Sequence, residues 1–300
     1  MTNADHKLRV GFLGLGAMGA GMARCILSAG FPLTIVSSSP DKARAFEAEG
    51  AAVAQTAVDL VANSDIIVTC VPDGTALFAS FDADDGFGVA DFTGRTFVDC
   101  STIAPGEART LAERVRSLGG AFVDAPVSGG VKGAAEGTLT IMCGGDEETV
   151  AAVMPVLKAM GRSITRFGPV GAGQAVKAAN QIMVAVNMMG AFEAIQLVRA
   201  NGVDPGEMRE ALMTGAARSG VLEMHAARYL SDALDGGFRI ELLRKDLGLA
   251  TAAADVAGLS QPAASLALQL VRAACNAGFE GQDSAVLGRL YDVLNGKDAV

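Results

Sequence analysis

The sequence predicts an α/β fold: a largely parallel sheet wrapped by helices over residues 1–168, then an all-helical part over 169–300. Three observations carry this. Short apolar runs alternate with helical stretches through the first half, as βαβ units require. The first run ends in a cluster of glycines that opens a helix. Beyond residue 168 the strand punctuation stops and helical patterning takes over.

Taken in order, Leu8–Leu13 reads as a buried strand, and Ala17–Ala29 as a helix that Gly30 stops. Phe31–Val36 is a second strand, Ser37-Ser38-Ser39-Pro40 a turn, and Asp41–Glu49 a helix ended by Gly50. Further strands fall at Ile66–Val71, Thr96–Val98, Ala121–Val123 and Thr138–Cys143, with helices at Pro105–Leu118 and Glu147–Met160. The stretch Phe167–Gly173 holds three glycines and a proline, which marks a linker, so the domain boundary is placed at 168–171. From Ala172 to about Ala200 runs a long helix, apolar nearly all round, which calls for burial by other helices or a second subunit. Helices at roughly 204–213, 219–233, 239–258, 261–277 and 282–295 complete the chain.

Composition excludes several functions. Half of the 300 residues are hydrophobic and 19% are charged, unlike a disordered chain. A net charge of −9 argues against nucleic acid as partner. No uninterrupted apolar stretch is long enough to imply a membrane span, and Met1–Lys7 lacks the layout of a signal peptide. Five scattered cysteines and two histidines offer no metal-ligand spacing and no disulfide framework. The chain reads as cytoplasmic, with reduced thiols. His225 reads as a surface or partly satisfied histidine, His6 as part of a mobile tail, and Asp82–Asp85 as a solvated loop.

The glycine cluster is Gly14-Leu15-Gly16-Ala17-Met18-Gly19, a G-x-G-x-x-G between a strand and a helix. In that setting Gly14 makes the tight turn, Gly16 admits a pyrophosphate, and Gly19 allows close helix packing. The helix N-terminus at Ala17 and Met18 supplies N–H groups to the anion. The end of the second strand chooses between NAD and NADP. It carries Ser37, Ser38 and Ser39 and no carboxylate at its tip, which leans to NADP; alternatively these serines cap the following helix. Ser101 and Thr102 close another strand, and either could reach the cofactor or cap the helix that follows. Ser128, Gly129 and Gly130 form either a cradle for a small carboxylate, with Lys132 adding charge, or an ordinary turn.

Lys177 is the only charged residue between Arg166 and Glu193. A lysine alone on an apolar helix is costly to bury without a purpose; the alternative is an amine that snorkels to the surface. Asn180 and Gln181, three and four residues on, share its face.

Together these residues resemble the β-hydroxyacid dehydrogenase family, which includes 3-hydroxyisobutyrate dehydrogenase and tartronate semialdehyde (2-hydroxy-3-oxopropionate) reductase. The resemblance covers almost the whole chain and rests on Gly11–Gly19, Asp99–Pro105, Asp124–Gly130, Gly171–Gln181 and Lys245–Ala250, in the family's order. It implies a Rossmann-type first domain and a helical second domain. It also implies Lys177 as catalytic residue, Ser128–Gly130 as carboxylate holder, and Thr102 and Lys245 as cofactor contacts. Two departures stand out. Gln181 replaces an Asn common among relatives, and the Asn180-Gln181 pair looks more like the tartronate semialdehyde reductase branch. Ser38 stands where several NADP-using relatives carry Arg.

The implied activity is hydride transfer between NAD or NADP and a small carboxylate substrate, a 3-hydroxy acid or its semialdehyde. The cofactor carries the hydride, while Lys177 gives or takes the proton and Gln181 or Asn180 orients the reacting oxygen. An apolar setting makes the neutral amine easier to reach. A dinucleotide-binding sensor or scaffold without turnover is the competing class, but it has no evident use for Lys177. Imine reductases are a third reading, and they generally lack that lysine. A homo-oligomer is expected from the apolar long helix, and no metal is expected.

Overall fold

The computed structural model describes residues 7–297, so His6 lies outside the described residues. The strands are β1 (Val10–Leu13), β2 (Leu33–Val36), β3 (Ala52–Val53), β4 (Ile66–Thr69), β5 (Thr96–Asp99), β6 (Ala121–Asp124), β7 (Val127–Ser128), β8 (Leu139–Gly144) and β9 (Gly161–Gly168). They form one sheet in the order β3-β2-β1-β4-β5-β6-β8-β7, with β9 paired to β8. The first six run parallel; β8 is antiparallel to β6 and β7, and β9 is parallel to β8. Chain direction across the sheet reverses at β1, so its carboxyl end and that of β4 open a crevice at the switch point.

The central strands read as continuous apolar runs because both faces are covered. Phe12, Val68, Val98 and Val123 pack on one face with Met22 and Ile26 of the helix Gly19–Ser28. Ile67, Phe97 and Phe122 alternate onto the other, where Phe81, Phe87 and Phe92 join them with ring centroids 5.1–6.2 Å apart.

The predicted helices of this half form close to their expected bounds, at Gly19–Ser28, Pro40–Ala48, Pro105–Ser117 and Glu147–Met160. β9 was not expected. Its side chains are mostly exposed and show no alternation, so it is a strand only through its main-chain pairing with β8. The two-residue strands β3 and β7 and the helices Ala57–Ala62 and Gly130–Glu136 also escape the periodic pattern, being too short to show one, and the helix Gly74–Asp82 was not expected either.

The long helix spans Ala172–Ala200. It is the one described helix long and apolar enough to cross a membrane by length and composition, although Lys177 and Gln181 interrupt it and both are buried. Its Met188, Phe192 and Ile195 instead sit in a protein core with Leu243, Leu247, Val271, Leu287 and Tyr291. Those residues come from the helices Ile240–Val256, Pro262–Ala274 and Leu287–Leu294, which with Pro205–Leu212 and Gly220–Leu230 make up the helical part. His225 is not a surface residue. It shares the inward stripe of its helix with Val221, Leu222, Ala226 and Tyr229 and is only 8% exposed.

Two compact units divide between Lys177 and Ala178, inside the long helix rather than at the glycine-proline linker. The reason is local: the first turn of that helix is bonded to the strand tips of the first unit.

Candidate active site

The glycine turn between β1 and the helix Gly19–Ser28 is shaped by close approach. Gly14 has φ +104°, and a Cβ there would lie 2.2 Å from the Cys70 carbonyl oxygen at the end of β4. A Cβ on Gly19 would meet the Gly14 carbonyl oxygen at 1.9 Å, the close packing the sequence predicts. Gly16 has no neighbour within 4 Å of such an atom, and Ala17 beside it is exposed. Met18 is the N-cap of the helix and offers no side-chain cap.

A cleft of about 560 Å³ opens here, lined by Gly14, Leu15 and Gly16 on one side and Ser37, Ser38, Ser39 and Lys42 on the other. Lys42 Nζ donates to the Leu15 carbonyl at 2.8 Å and joins the two walls. The helix Pro40–Ala48 is capped by Ser39, not by Ser37 or Ser38. Ser37 Oγ bonds the main chain of Ser39, and Ser38 is exposed at the strand tip. A tight glycine turn, an open Gly16, a helix N-terminus and this cleft fit a dinucleotide.

Further along the sheet edge, two buried aspartates face each other in register at the ends of β5 and β6, Asp99 opposite Asp124. Asp124 accepts from Gly171 N at 2.8 Å and Gln174 N at 2.9 Å, so it caps the long helix through space. Burial pushes its carboxyl above the usual range, against the pull of those helix N–H groups. Asp99 accepts from Thr69 Oγ1 at 2.9 Å and Ser101 N at 3.0 Å. Its Oδ2 has no hydrogen-bond partner among the described residues, and burial raises the carboxyl to about 6.

Ser101 is neither helix cap nor open hydroxyl: its Oγ accepts from Val71 N at 2.9 Å. The cap of the helix Pro105–Ser117 is Ala104, whose N–H donates to Glu107. Thr102 is half-buried in the intervening loop and is not that cap. Gln174 clamps this loop, donating from Nε2 to the Ser101 carbonyl at 2.8 Å and accepting from Ile103 N at 3.2 Å.

Lys177 lies one turn beyond Gln174 and is 6% exposed, so it does not snorkel to solvent. Asn180 and Gln181 follow on the same helix face. Asn180 Nδ2 donates to Gln181 Oε1 at 2.8 Å, and Gln181 Nε2 donates to Asp246 Oδ2 at 2.6 Å. Lys245 Nζ stands 3.0 Å from Asp246 Oδ1, and Asp246 is buried.

Ser128 ends β7, half-buried, and Gly129 and Gly130 follow with φ +138° and +65°, a backbone that a side-chain-bearing residue would strain to adopt. The Lys132 side chain is 84% exposed and reaches toward Glu136.

Asp99, Asp124, Gln174 and Asp246 were not singled out from sequence. Asp99 and Asp124 do share a visible signal, each being the acidic residue that closes an apolar strand. Gln174 and Asp246 fall inside the motif stretches 171–181 and 245–250, but nothing local marks what they bond, because their partners lie 65–73 residues away.

A dinucleotide crevice, followed in the chain by a helix with a buried lysine, defines a nicotinamide-dependent oxidoreductase. Residues 9–168 match the NAD-binding domain of 6-phosphogluconate dehydrogenase, and residues 171–291 match the NAD-binding domain of NADP-dependent 3-hydroxyisobutyrate dehydrogenase. The chain is 39% identical to 2-hydroxy-3-oxopropionate reductase of Escherichia coli, over 97% of this chain and 99% of that one. It is 37% identical to an NAD-dependent L-serine dehydrogenase of Pseudomonas aeruginosa, over 96% and 99%. Among solved structures, 3-hydroxyisobutyrate dehydrogenase of Mycobacterium tuberculosis with L-serine superposes with a TM-score of 0.86 at 31% identity, over 95% of this chain and 99% of that one. The chain belongs to the β-hydroxyacid dehydrogenase family and is an NAD(P)-dependent enzyme.

Proposed function

We propose that this enzyme interconverts a small 3-hydroxy acid and its semialdehyde, with Lys177 as the group that moves the proton. The observation that carries the assignment is the burial of Lys177 one turn into a helix whose start is anchored by Asp124. When bound, the nicotinamide supplies or accepts the hydride. In reduction the Lys177 ammonium donates a proton to the developing alkoxide; in oxidation the neutral amine takes the hydroxyl proton. Ser128 and the main chain of Gly129 and Gly130 hold the substrate carboxylate, and Asn180 and Gln181 orient the reacting oxygen. Gln181 is preset for this by Asp246, which fixes its amide.

Gly14, Gly16, Ala17, Met18 and Gly19 hold the pyrophosphate, and Thr102 and Lys245 contact the cofactor. NADP is the preferred dinucleotide, since the tip of β2 offers Ser37 and Ser38 and no carboxylate to pair with a ribose diol. The protein acts in the cytoplasm as a homo-oligomer. Met183 and Leu197 of the long helix are 65% and 66% exposed in the single chain, an apolar surface a second copy would cover.

The test is Lys177→Ala, assayed by nicotinamide absorbance with NAD and NADP across small hydroxy acids and semialdehydes. Turnover falls by at least about 10²-fold, the scale of positioned acid–base catalysis, while dinucleotide affinity stays within about twofold. Near-normal turnover in that variant removes Lys177 from the mechanism.

A further inference from the structure

The sheet places two thiols side by side at the crevice. In the β4–β5 pair Thr69 lies opposite Asp99, the last pair of that ladder. Cys100 N donates to the Thr69 carbonyl at 2.8 Å and Cys70 N to the Leu13 carbonyl at 3.0 Å. Cys70 and Cys100 are thus the next residues after the last pair of two neighbouring strands, and one position further Val71 N donates to Ser101 Oγ at 2.9 Å. Both thiols also point to one face, because Val68 and Cys70, like Val98 and Cys100, pack in the same core cluster. Adjacent strands run about 4.8 Å apart, within the roughly 4.4–6.8 Å Cα spacing that a disulfide accepts. Cys143 joins the same cluster from β8, but β6 stands between β5 and β8 and puts it beyond that spacing.

We propose that Cys70 and Cys100 form a peroxide-reactive dithiol site whose oxidation to a disulfide weakens dinucleotide binding. Cys70 is the more accessible, half-buried member and reacts first; Cys100 is 2% exposed, and burial, then the neighbouring Cys70, push its thiol well above the ordinary value. The Cys70 thiolate attacks one oxygen of hydrogen peroxide, the O–O bond breaks, and the departing hydroxide takes up the thiol's proton as water. The Cys100 sulfur then attacks the Cys70 sulfenic acid, the S–O bond breaks, and the second hydroxide leaves with the Cys100 proton. Two thiols lose two electrons and one peroxide becomes two waters.

The effect on the cofactor follows from position. The fingerprint turn rests on the Cys70 main chain, where even a Cβ on Gly14 would lie 2.2 Å from the Cys70 oxygen. Val71, next in the chain, donates to Ser101. Side chains that point the same way from parallel strands keep their Cβ atoms near the strand spacing of about 4.8 Å. That is beyond the roughly 3.5–4.5 Å Cβ spacing of a disulfide, so closing the bond draws the two strand tips together and displaces the surface under Gly14.

The test treats the full-length protein with hydrogen peroxide, blocks remaining thiols with iodoacetamide and maps tryptic peptides by mass spectrometry. Cys70 lies in peptide 45–95 and Cys100 in 96–109, so their linkage is read directly. The expected result is loss of two of the five thiols, a 45–95/96–109 cross-link reversed by dithiothreitol, and no such link in Cys70→Ser or Cys100→Ser. NADPH fluorescence titration of the oxidised protein should show Kd raised about tenfold, with recovery on reduction. The cross-link should still form in Cys143→Ser. Five intact thiols after peroxide, or a link through Cys143, overturns the site; a cross-link with unchanged Kd overturns its coupling to the cofactor.

Discussion

Replacing Asp124 tests whether the long helix is held where Lys177 needs it. The carboxylate accepts two main-chain bonds, from Gly171 and Gln174, and is fully buried. Hydrogen bonds to a charged group contribute about 1.5–3 kcal/mol each, so Asp124→Ala removes roughly 3–6 kcal/mol of interaction. Part of that is offset, because the raised carboxyl shows that burying the charge is itself costly. The net loss is about 2–4 kcal/mol, which in a unit of 177 residues lowers Tm by roughly 6–12 °C. Asp124→Asn keeps one acceptor and should lose about half as much. Differential scanning calorimetry gives the stability, and steady-state kinetics the second consequence. With the first turn released, Lys177 loses its fixed position and kcat falls at least about tenfold. Dinucleotide affinity should hold, since the cleft is built from other strand tips. Wild-type Tm together with wild-type kcat in Asp124→Asn would refute the clamp.

Three further outcomes follow from the same geometry. Ser128→Ala should raise KM for the carboxylate substrate by about tenfold, one lost hydrogen bond to a charge, with kcat little changed; an unaltered KM rules out the cradle. Gly14→Ala should lose dinucleotide binding in a fluorescence titration, because its Cβ meets the Cys70 oxygen at a positive φ; normal affinity there would contradict the fit. Asp99, raised to about 6 chiefly by burial, binds its proton more tightly in the folded than in the unfolded chain. Its contribution therefore favours folding at low pH and is withdrawn as pH rises from about 4 through about 6, a swing of roughly 3 kcal/mol for a two-unit shift. Chemical denaturation of Asp99→Asn against wild type from pH 4 to 7 should show the stability difference moving toward the variant by that amount, and a flat difference contradicts it.

The strands and long helices were legible because each is written in a local pattern. An apolar run closed by Gly14 and the mostly apolar course after Ala172 need no partner to be recognised. The five ordered motifs, and with them the family, were legible for the same reason: each is a contiguous stretch of chain. β9 was not, because its exposed side chains carry no pattern and only its ladder with β8 makes it a strand.

Side-chain commitment belonged to the tertiary structure. Ser101 turned its hydroxyl to Val71, thirty residues earlier in the chain, instead of to a helix cap. Of the three serines that sequence left open as caps, Ser39 alone took the role. His225 went inward because its helix presents that stripe to the core. Asp124, Gln174 and Asp246 became anchors only when folding brought their partners from 47 to 73 residues away. A polar side chain carries no mark of which distant backbone group it will meet. Sequence determined the locally patterned strands and the longer helices and their order. Long-range bonding decided the rest, from the ladder that makes β9 to how the lysine-bearing helix is held, since these depend on distances through space and not along the chain.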